Sequence, residues 1–322
     1  FTPVRFRLQP PILCNLSIMS NSIVILGSGS IASQHSKNLD NKYDLYTLKE
    51  SSTSSNEFRS FLESKKIKAV IICTSSGTHM KFVKVCIECQ VPFYCEKPIC
   101  LSSMDVNFLR SRTSKEILKN CVGFNLRYHP GIIWLKEKIE NHLHPINFTI
   151  RVGHDVSKWR PNRDINEIFS LNKQKGGGAI SELSHECDIA CYLFENANEW
   201  TSFSINDPWK NEADAQTVIV LKMKNSIGSI NLDMVSPVLH RQIVISSLDF
   251  FIELDLVKSK AIGIIDNNKI NIKFDFNRNA SLKNSLNNFL DNLDLKNSAK
   301  PLNLLKDCLN SSKLIAEIYE QI

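Results

Sequence analysis

The 322-residue chain is 43% apolar and 22% charged, with a formal net charge of +6. That is the composition of a soluble globular protein, long enough for two ordinary domains and without an apolar run that would span a bilayer. The positive charge is spread along the chain, which argues against a nucleic-acid partner, and nothing in the pattern calls for a membrane one.

The ten cysteines lie mostly inside apolar segments such as Ile71-Ile72-Cys73 and Ala190-Cys191-Tyr192. Free cysteine behaves there as a small hydrophobe, so a reducing, cytoplasmic setting is expected. Cys86 and Cys89 have the spacing of half a zinc site, but no second half follows at suitable spacing, and no metal is expected. Residues 1–18, with Arg5, Arg7, Pro10 and Pro11 in a broken apolar stretch, fit nothing downstream. They are expected to be a disordered extension, and a regular pattern begins at Met19.

The run Ser22–Leu26 predicts a strand that ends directly in Gly27-Ser28-Gly29-Ser30-Ile31-Ala32, followed by a helix through Leu39. This is the strand–turn–helix context of a dinucleotide fingerprint. Gly27 would make the tight turn, Gly29 would let the backbone approach a pyrophosphate, and Ala32 would allow close helix packing. The amides of Ser30, Ile31 and Ala32 open the helix toward phosphate. A second strand, Leu45–Leu48, would carry the ribose-recognising residue. Counting from Gly27 reaches Thr47, with Lys49 and Glu50 beyond. A neutral residue followed by lysine leans toward NADP over NAD, and Glu50 is the competing reading.

Ile67–Cys73 predicts a buried strand, ending in Thr74-Ser75-Ser76-Gly77-Thr78-His79. These short polar residues could approach a cofactor or simply cap the next helix. Val91–Tyr94 then leads into Cys95-Glu96-Lys97-Pro98. Taken alone, that stretch reads as a strand leaving the core. At the carboxyl end of a strand in an open α/β sheet, however, Lys97 could transfer a proton, and Pro98 could fix the turn through a cis bond. A helix over 103–118 and a strand over 121–124 complete a doubly wound parallel sheet.

After Pro130 the pattern changes. Ile146–Val152, Ala215–Met223, Gly228–Met234, Gln242–Ser246 and Phe250–Leu256 read as strands, several with period-two alternation, and imply a mainly antiparallel sheet. Leu302–Ile322 reads as an amphipathic helix. Gly176-Gly177-Gly178 leads into a helix over 179–194, on which Ser181, His185 and Asp188 share a face and Glu182 lies one position round. In the preceding loop, Trp159 offers a flat face for a sugar ring, and Arg160 and Arg163 could fork onto a carboxylate or phosphate.

Gly27-x-Gly29-x-x-Ala32, the Cys73–His79 loop, Glu96-Lys97-Pro98 and Asn125-Leu126-Arg127-Tyr128-His129-Pro130, in that order, resemble the glucose–fructose oxidoreductase/inositol dehydrogenase (Gfo/Idh/MocA) family. The resemblance runs from about Met19 to the C-terminus. It implies an NAD(P)-binding Rossmann domain over 19–122 and a substrate-binding and oligomerisation domain over 123–322. The second domain would be α+β with a large, mainly antiparallel open sheet. It further implies hydride transfer between NAD or NADP and a sugar, cyclitol or related polyol, by homodimers or homotetramers paired through that sheet.

On this resemblance Lys97 and His185 would be catalytic. Thr74, Ser75, Ser76, His79, Glu96 and Lys97 would join the fingerprint residues at the cofactor. Asn125, Arg127, His129, Trp159, Arg160, Arg163, Ser181, Glu182 and His185 would face the substrate. The family usually has an aspartate four residues before its histidine. Ser181 stands there, so the chain departs from the pattern, and Glu182 is a one-residue-offset substitute. The departure leaves room for a second reading, a non-catalytic NAD(P)- and sugar-binding sensor. The stretches 155–164 and 182–186 also resemble a subset associated with surface-polysaccharide and acidic-sugar biosynthesis.

Overall fold

The computed structural model describes residues 21–39, 42–112, 119–159, 168–206, 212–294 and 300–322. The extension over 1–18 lies outside them. The first half forms a five-stranded parallel sheet in the order β2-β1-β3-β4-β5. Its strands are β1 (Ser22–Leu26), β2 (Asp44–Leu48), β3 (Ala69–Ile72), β4 (Phe93–Cys95) and β5 (Cys121–Val122). β3 is buried at every position and β1 at all but Ser22, so both read as unbroken apolar runs, as strands covered on both faces must.

The connecting helices are α1 (Ser30–Leu39), α2 (Ser55–Ser64), α3 (His79–Glu88) and α4 (Ser103–Ser111). Each has a local reason to start. At α2, Ser54 and Glu57 form a reciprocal capping box. At α4, the Ser102 side chain accepts from the Asp105 amide. The helix expected over 103–118 is thus described only to Ser111, and 113–118 lie outside the described residues.

Helix α5 (Pro130–Ile139), opened by proline, leads to the second sheet. Its strands are β6 (Ile146–Gly153), β7 (Glu199–Asn206), β8 (Asp214–Lys222), β9 (Ser226–Asp233), β10 (His240–Ser246), β11 (Phe250–Asp255), β12 (Lys260–Ile265) and β13 (Asn268–Lys273). They lie in the order β13-β12-β11-β10-β6-β9-β8-β7. All pairs are antiparallel except β6 with β9. Burial alternates along β6 and β8, so one face is covered and the other is open.

The helix expected over 179–194 is two pieces. α6 (Ala179–Glu182) ends in a turn at Leu183 and Ser184, and α7 (His185–Phe194) begins afresh at His185. A single apolar stripe continues through both pieces, which is why periodicity alone reads them as one helix.

Two last helices, α8 (Arg278–Leu293) and α9 (Leu305–Gln321), return to the body. Leu286, Phe289, Leu290 and Leu293 of α8 share a core with Ile23, Ile25 and Ile71 of the first sheet. Tyr94 Oη and Ser285 Oγ meet there at 3.0 Å. Late chain therefore covers one face of the early sheet. Among the described residues no helix is long and apolar enough to cross a membrane.

Candidate active site

The turn between β1 and α1 is built for close approach. Gly27 has φ +129°, and a Cβ on it would sit 2.4 Å from the Cys73 carbonyl oxygen. Only glycine meets both demands. A Cβ on Gly29 would meet nothing within 4 Å. Ser28, Gly29 and Ser30 are exposed, so the first turn of α1, whose amides lack helical partners, faces open space. This arrangement fits a dinucleotide pyrophosphate.

At the end of β2, Thr47 and Lys49 are exposed. Glu50 is occupied within the protein. Its carboxylate accepts from the Ser75 amide at 2.9 Å, from Ser75 Oγ at 2.5 Å and from Thr78 Oγ1 at 2.8 Å. Burial opposes that charge, but the hydrogen bonds outweigh it and hold the carboxyl below its usual range. Glu50 therefore clamps the 74–78 loop.

His79 is also spent inside. Its Nδ1 lies 2.7 Å from the Pro98 carbonyl oxygen and its Nε2 3.1 Å from that of Thr74. One ring ties the 74–78 loop to the loop bearing Lys97, and burial pushes its pKa down. Ser76 is buried and opens the short turn before α3, while Thr74 is half-buried.

The Glu96-Lys97-Pro98 stretch leaves β4, and the Lys97–Pro98 bond is cis. Glu96 Oε1 lies 2.7 Å from Nε2 of His35, a fully buried residue of the fingerprint helix α1. Lys97 Nζ reaches across to the second half of the chain and donates to the Glu182 carbonyl at 2.8 Å. His185 lies beside it, one face against the edge of Phe124 at 5.9 Å between ring centres. Its Nδ1 has no hydrogen-bond partner. Burial, then the charges of Lys97, Arg241 and Arg278, hold its pKa well below the ordinary value. The imidazole is therefore neutral near pH 7 and able to accept a proton.

Two residues meant to replace the missing aspartate behave differently. Ser181 is fully buried and its Oγ has no partner. Glu182 is half-buried and contributes its carbonyl, where a carboxylate was expected. α6 is held in place by Asp214, which accepts from the Ile180 amide at 3.0 Å and from Thr217 Oγ1 at 2.8 Å. A Cβ on Gly178 would lie 2.0 Å from Asp214 Oδ1, so glycine is needed there.

Three residues expected at the substrate are committed to the fold instead. The Arg127 guanidinium grips Asp188 at 2.9 and 2.6 Å and donates to the carbonyls of Leu302 and Asp307. It is 1% exposed. His129 caps α5 by accepting from the Gly131 amide and lies 4.1 Å from the Phe276 ring. Asn125 is joined to Ser281 of α8, whose Oγ donates to its carbonyl at 2.7 Å. Trp159 does remain partly open, close to His154, with its Nε1 unpartnered. Arg160 and Arg163 lie outside the described residues.

Sequence reasoning gave no role to Glu186 or Arg241. Glu186 is fully buried directly after His185, and its Oε1 lies 2.7 Å from Arg241 Nε. The available signal was a charged residue beside the apolar stripe of a buried helix.

The model of an oxidoreductase family with an NAD-binding Rossmann fold matches residues 46–116. A myo-inositol 2-dehydrogenase of Thermotoga maritima is 27% identical over 176 residues, 53% of this chain and 51% of that protein. The chain thus matches about half the length of this curated relative. A levoglucosan dehydrogenase in complex with NADH superposes with a TM-score of 0.76 at 12% identity, covering 94% of this chain and 96% of the other. The WlbA dehydrogenase of Bordetella pertussis, in complex with NADH and UDP-GlcNAcA, gives 0.72 at 16% identity over 94% and 96%. At such identities the two structures speak to the fold alone.

Proposed function

We propose that the chain is a member of the Gfo/Idh/MocA oxidoreductase family and that it transfers a hydride between NAD(P) and a hydroxyl-bearing carbon of a sugar, cyclitol or sugar derivative. The observation that carries the reading is the convergence of Lys97 and a neutral His185 on the carboxyl edge of the nucleotide-type sheet. The nicotinamide, when bound, supplies the hydride acceptor or donor. Gly27, Gly29 and the first turn of α1 hold its pyrophosphate.

In the oxidative direction His185 accepts the proton of the reacting hydroxyl, because cationic neighbours and burial keep its imidazole unprotonated. Lys97 donates a hydrogen bond to the same oxygen, easing the negative charge that grows there. Its ammonium is steadied by the Glu182 carbonyl and, through the backbone, by the Glu96–His35 contact. In the reductive direction the same groups return the proton.

Glu50 is engaged with Ser75 and Thr78 while Lys49 is exposed, which favours a 2′-phosphate and hence NADP over NAD. A second copy of the chain covers the open face of the large sheet. There Phe203, Ile205, Val218, Val220, Phe251 and Ile264 are exposed on neighbouring strands. These are two apolar patches on the one face, on β7–β8 and on β11–β12, and exposed apolar patches mark an interface. The nine described cysteines are free and mostly buried, in keeping with a cytoplasmic setting.

The test is reduced cofactor offered with a panel of keto sugars and inosose-type ketones, followed at the nicotinamide absorbance. Turnover by the wild type, and a fall of about 10²–10⁴-fold in Lys97→Ala with cofactor affinity retained, is expected. Near-normal turnover in that variant would remove Lys97 from the chemistry. Light scattering reports the dimer or tetramer, and Phe203→Asp should split it.

A further inference from the structure

We propose that Arg241 and Arg278 form an anion-recognising end of the substrate site, so that the sugar this protein takes carries a carboxylate or a phosphate. The inference rests on the dehydrogenase reading only for taking His185 as the reacting end of that site.

Arg241 is the second residue of β10 and pairs with Val152 of β6. Opposed residues of an antiparallel pair share a face, and Val152 is 2% exposed. The register therefore sends the Arg241 side chain to the helix-covered side, beside α7. There its Nε lies 2.7 Å from Glu186 Oε1, and Glu186 itself is 0% exposed. The stem is thus anchored against a buried carboxylate. The guanidinium is not used up: the 2.7 Å contact is an ion pair, Nε has no hydrogen-bond partner, and the side chain is 24% exposed. An arginine offers five N–H donors in a planar fork. With the Nε edge turned inward, the remaining donors are presented at a partly desolvated opening.

Arg278 opens α8 and is exposed, with no acidic partner among the described residues. The first turn of α8 is tied to the 125–128 turn, where Ser281 Oγ donates to the Asn125 carbonyl at 2.7 Å, and from there the Arg278 charge bears on the same two imidazoles as Arg241, those of His185 and His154. Once burial is set aside, every charge that bears on His185 is a cation: Lys97, Arg241 and Arg278. Glu186 is paired with Arg241 and Asp155 bears on His154, which leaves positive charge in excess around His185.

A neutral polyol gives this fork nothing to neutralise. A carboxylate or phosphate accepts two parallel N–H bonds from an arginine, which are charge-assisted and about twice as strong as neutral ones. The partly exposed Trp159, its ring near that of His154, adds a flat face for a sugar ring.

The experiment is calorimetric titration of the cofactor-saturated full chain with matched probes: D-glucuronate against D-glucose, glucose 6-phosphate against glucose, and UDP-glucuronate against UDP-glucose. The probe with the added anionic group is expected to bind at least about tenfold tighter than its twin without it, and the winning pair tells carboxylate from phosphate. Arg241→Gln should bring that ratio close to one, with Arg241→Lys between. Should Arg241→Gln fail to fold because it strands Glu186, Arg278→Gln on the exposed start of α8 must still lower the ratio.

Equal binding within every pair, absence of binding included, overturns the proposal, as does a preference that survives Arg241→Gln and Arg278→Gln. The dehydrogenase reading fails separately. It falls if the charge preference persists and no probe or ketone is turned over, whereas the anion inference falls if sugars are oxidised and the anionic ones lose no more kcat/KM in the two variants than their uncharged counterparts do.

Discussion

Helix α7 carries two arginine–carboxylate pairs, and they differ in what they leave over. Asp188 faces Arg127, and the two are 1% and 2% exposed. Most of the hydrogen-bonding capacity of that pair is used: the carboxylate also accepts from Ser311 Oγ at 2.7 Å, and the guanidinium reaches two main-chain carbonyls. Glu186 faces Arg241 two residues earlier, with Nε at 2.7 Å from Oε1, yet this guanidinium is a quarter exposed and its Nε has no hydrogen-bond partner. The first pair joins α7, α9 and the 125–128 turn into one body. The second leaves a partly exposed guanidinium beside a buried carboxylate. Saturation separates architecture from recognition more cleanly than charge or position along the helix does.

The largest effect expected from breaking this contrast is at the saturated pair. Arg127→Ala leaves Asp188 buried and unpaired, and should cost about 3–5 kcal/mol of stability. Urea unfolding of the variant beside the wild type measures this. A change below about 1 kcal/mol would place Arg127 among the weakly coupled charges and reopen its assignment to the substrate.

A smaller effect is expected where a buried contact supports the chemistry from behind. His35→Ala removes the partner of Glu96 and should cost on the order of 1.5–3 kcal/mol, felt as lower kcat and lower stability together. His35→Gln, which can still donate to Glu96, should restore part of the kcat. If KM rises while kcat is unchanged, the contact serves cofactor binding and not the setting of Lys97.

The smallest effect concerns acid. Burial lowers the pKa of His79 and His185, and of His129 to about 4. Below an unfolded-state value near 6.5 the unfolded chain therefore binds protons that the native chain refuses. The stability these histidines contribute is full above that pH and is lost as pH falls toward about 4 for His129. His129→Asn keeps a cap acceptor for α5 without a titrating ring. The slope of unfolding midpoint against pH between 6.5 and 4 should be shallower in that variant. An unchanged slope would exclude His129 as a contributor.

Much of the first sheet was legible because its signals are local. A glycine turn after an apolar run needs only neighbouring residues, and the Ser54–Glu57 capping box is equally short in range, though α2 was not singled out. The β12–β13 hairpin was also within reach and was missed. Its turn, Asp266-Asn267, has φ of +49° and +63°, the conformation that this residue pair favours between alternating strands. The break between α6 and α7 was harder to read, because the apolar stripe runs through it unbroken. Neither Leu183 nor Ser184 is a helix breaker, and the break is imposed by packing around Gly178 and Asp214.

The sequence by itself determined that a dinucleotide turn stands at the first strand, that Lys97 leaves a buried strand, and that a parallel sheet precedes a mainly antiparallel one. These follow from periodicity and from the few conformations open to glycine and proline. Only the tertiary structure decided which charged residues are spent and which are left over. Arg127 and Arg241 look alike in the chain, as do Asp188 and Glu186, and their fates diverge because hydrogen-bond saturation is set by partners far off in the sequence, 61 and 175 residues away for Arg127. The Lys97–His185 convergence is of the same kind. It is made by a carbonyl 85 residues distant, a contact that no spacing within either segment encodes.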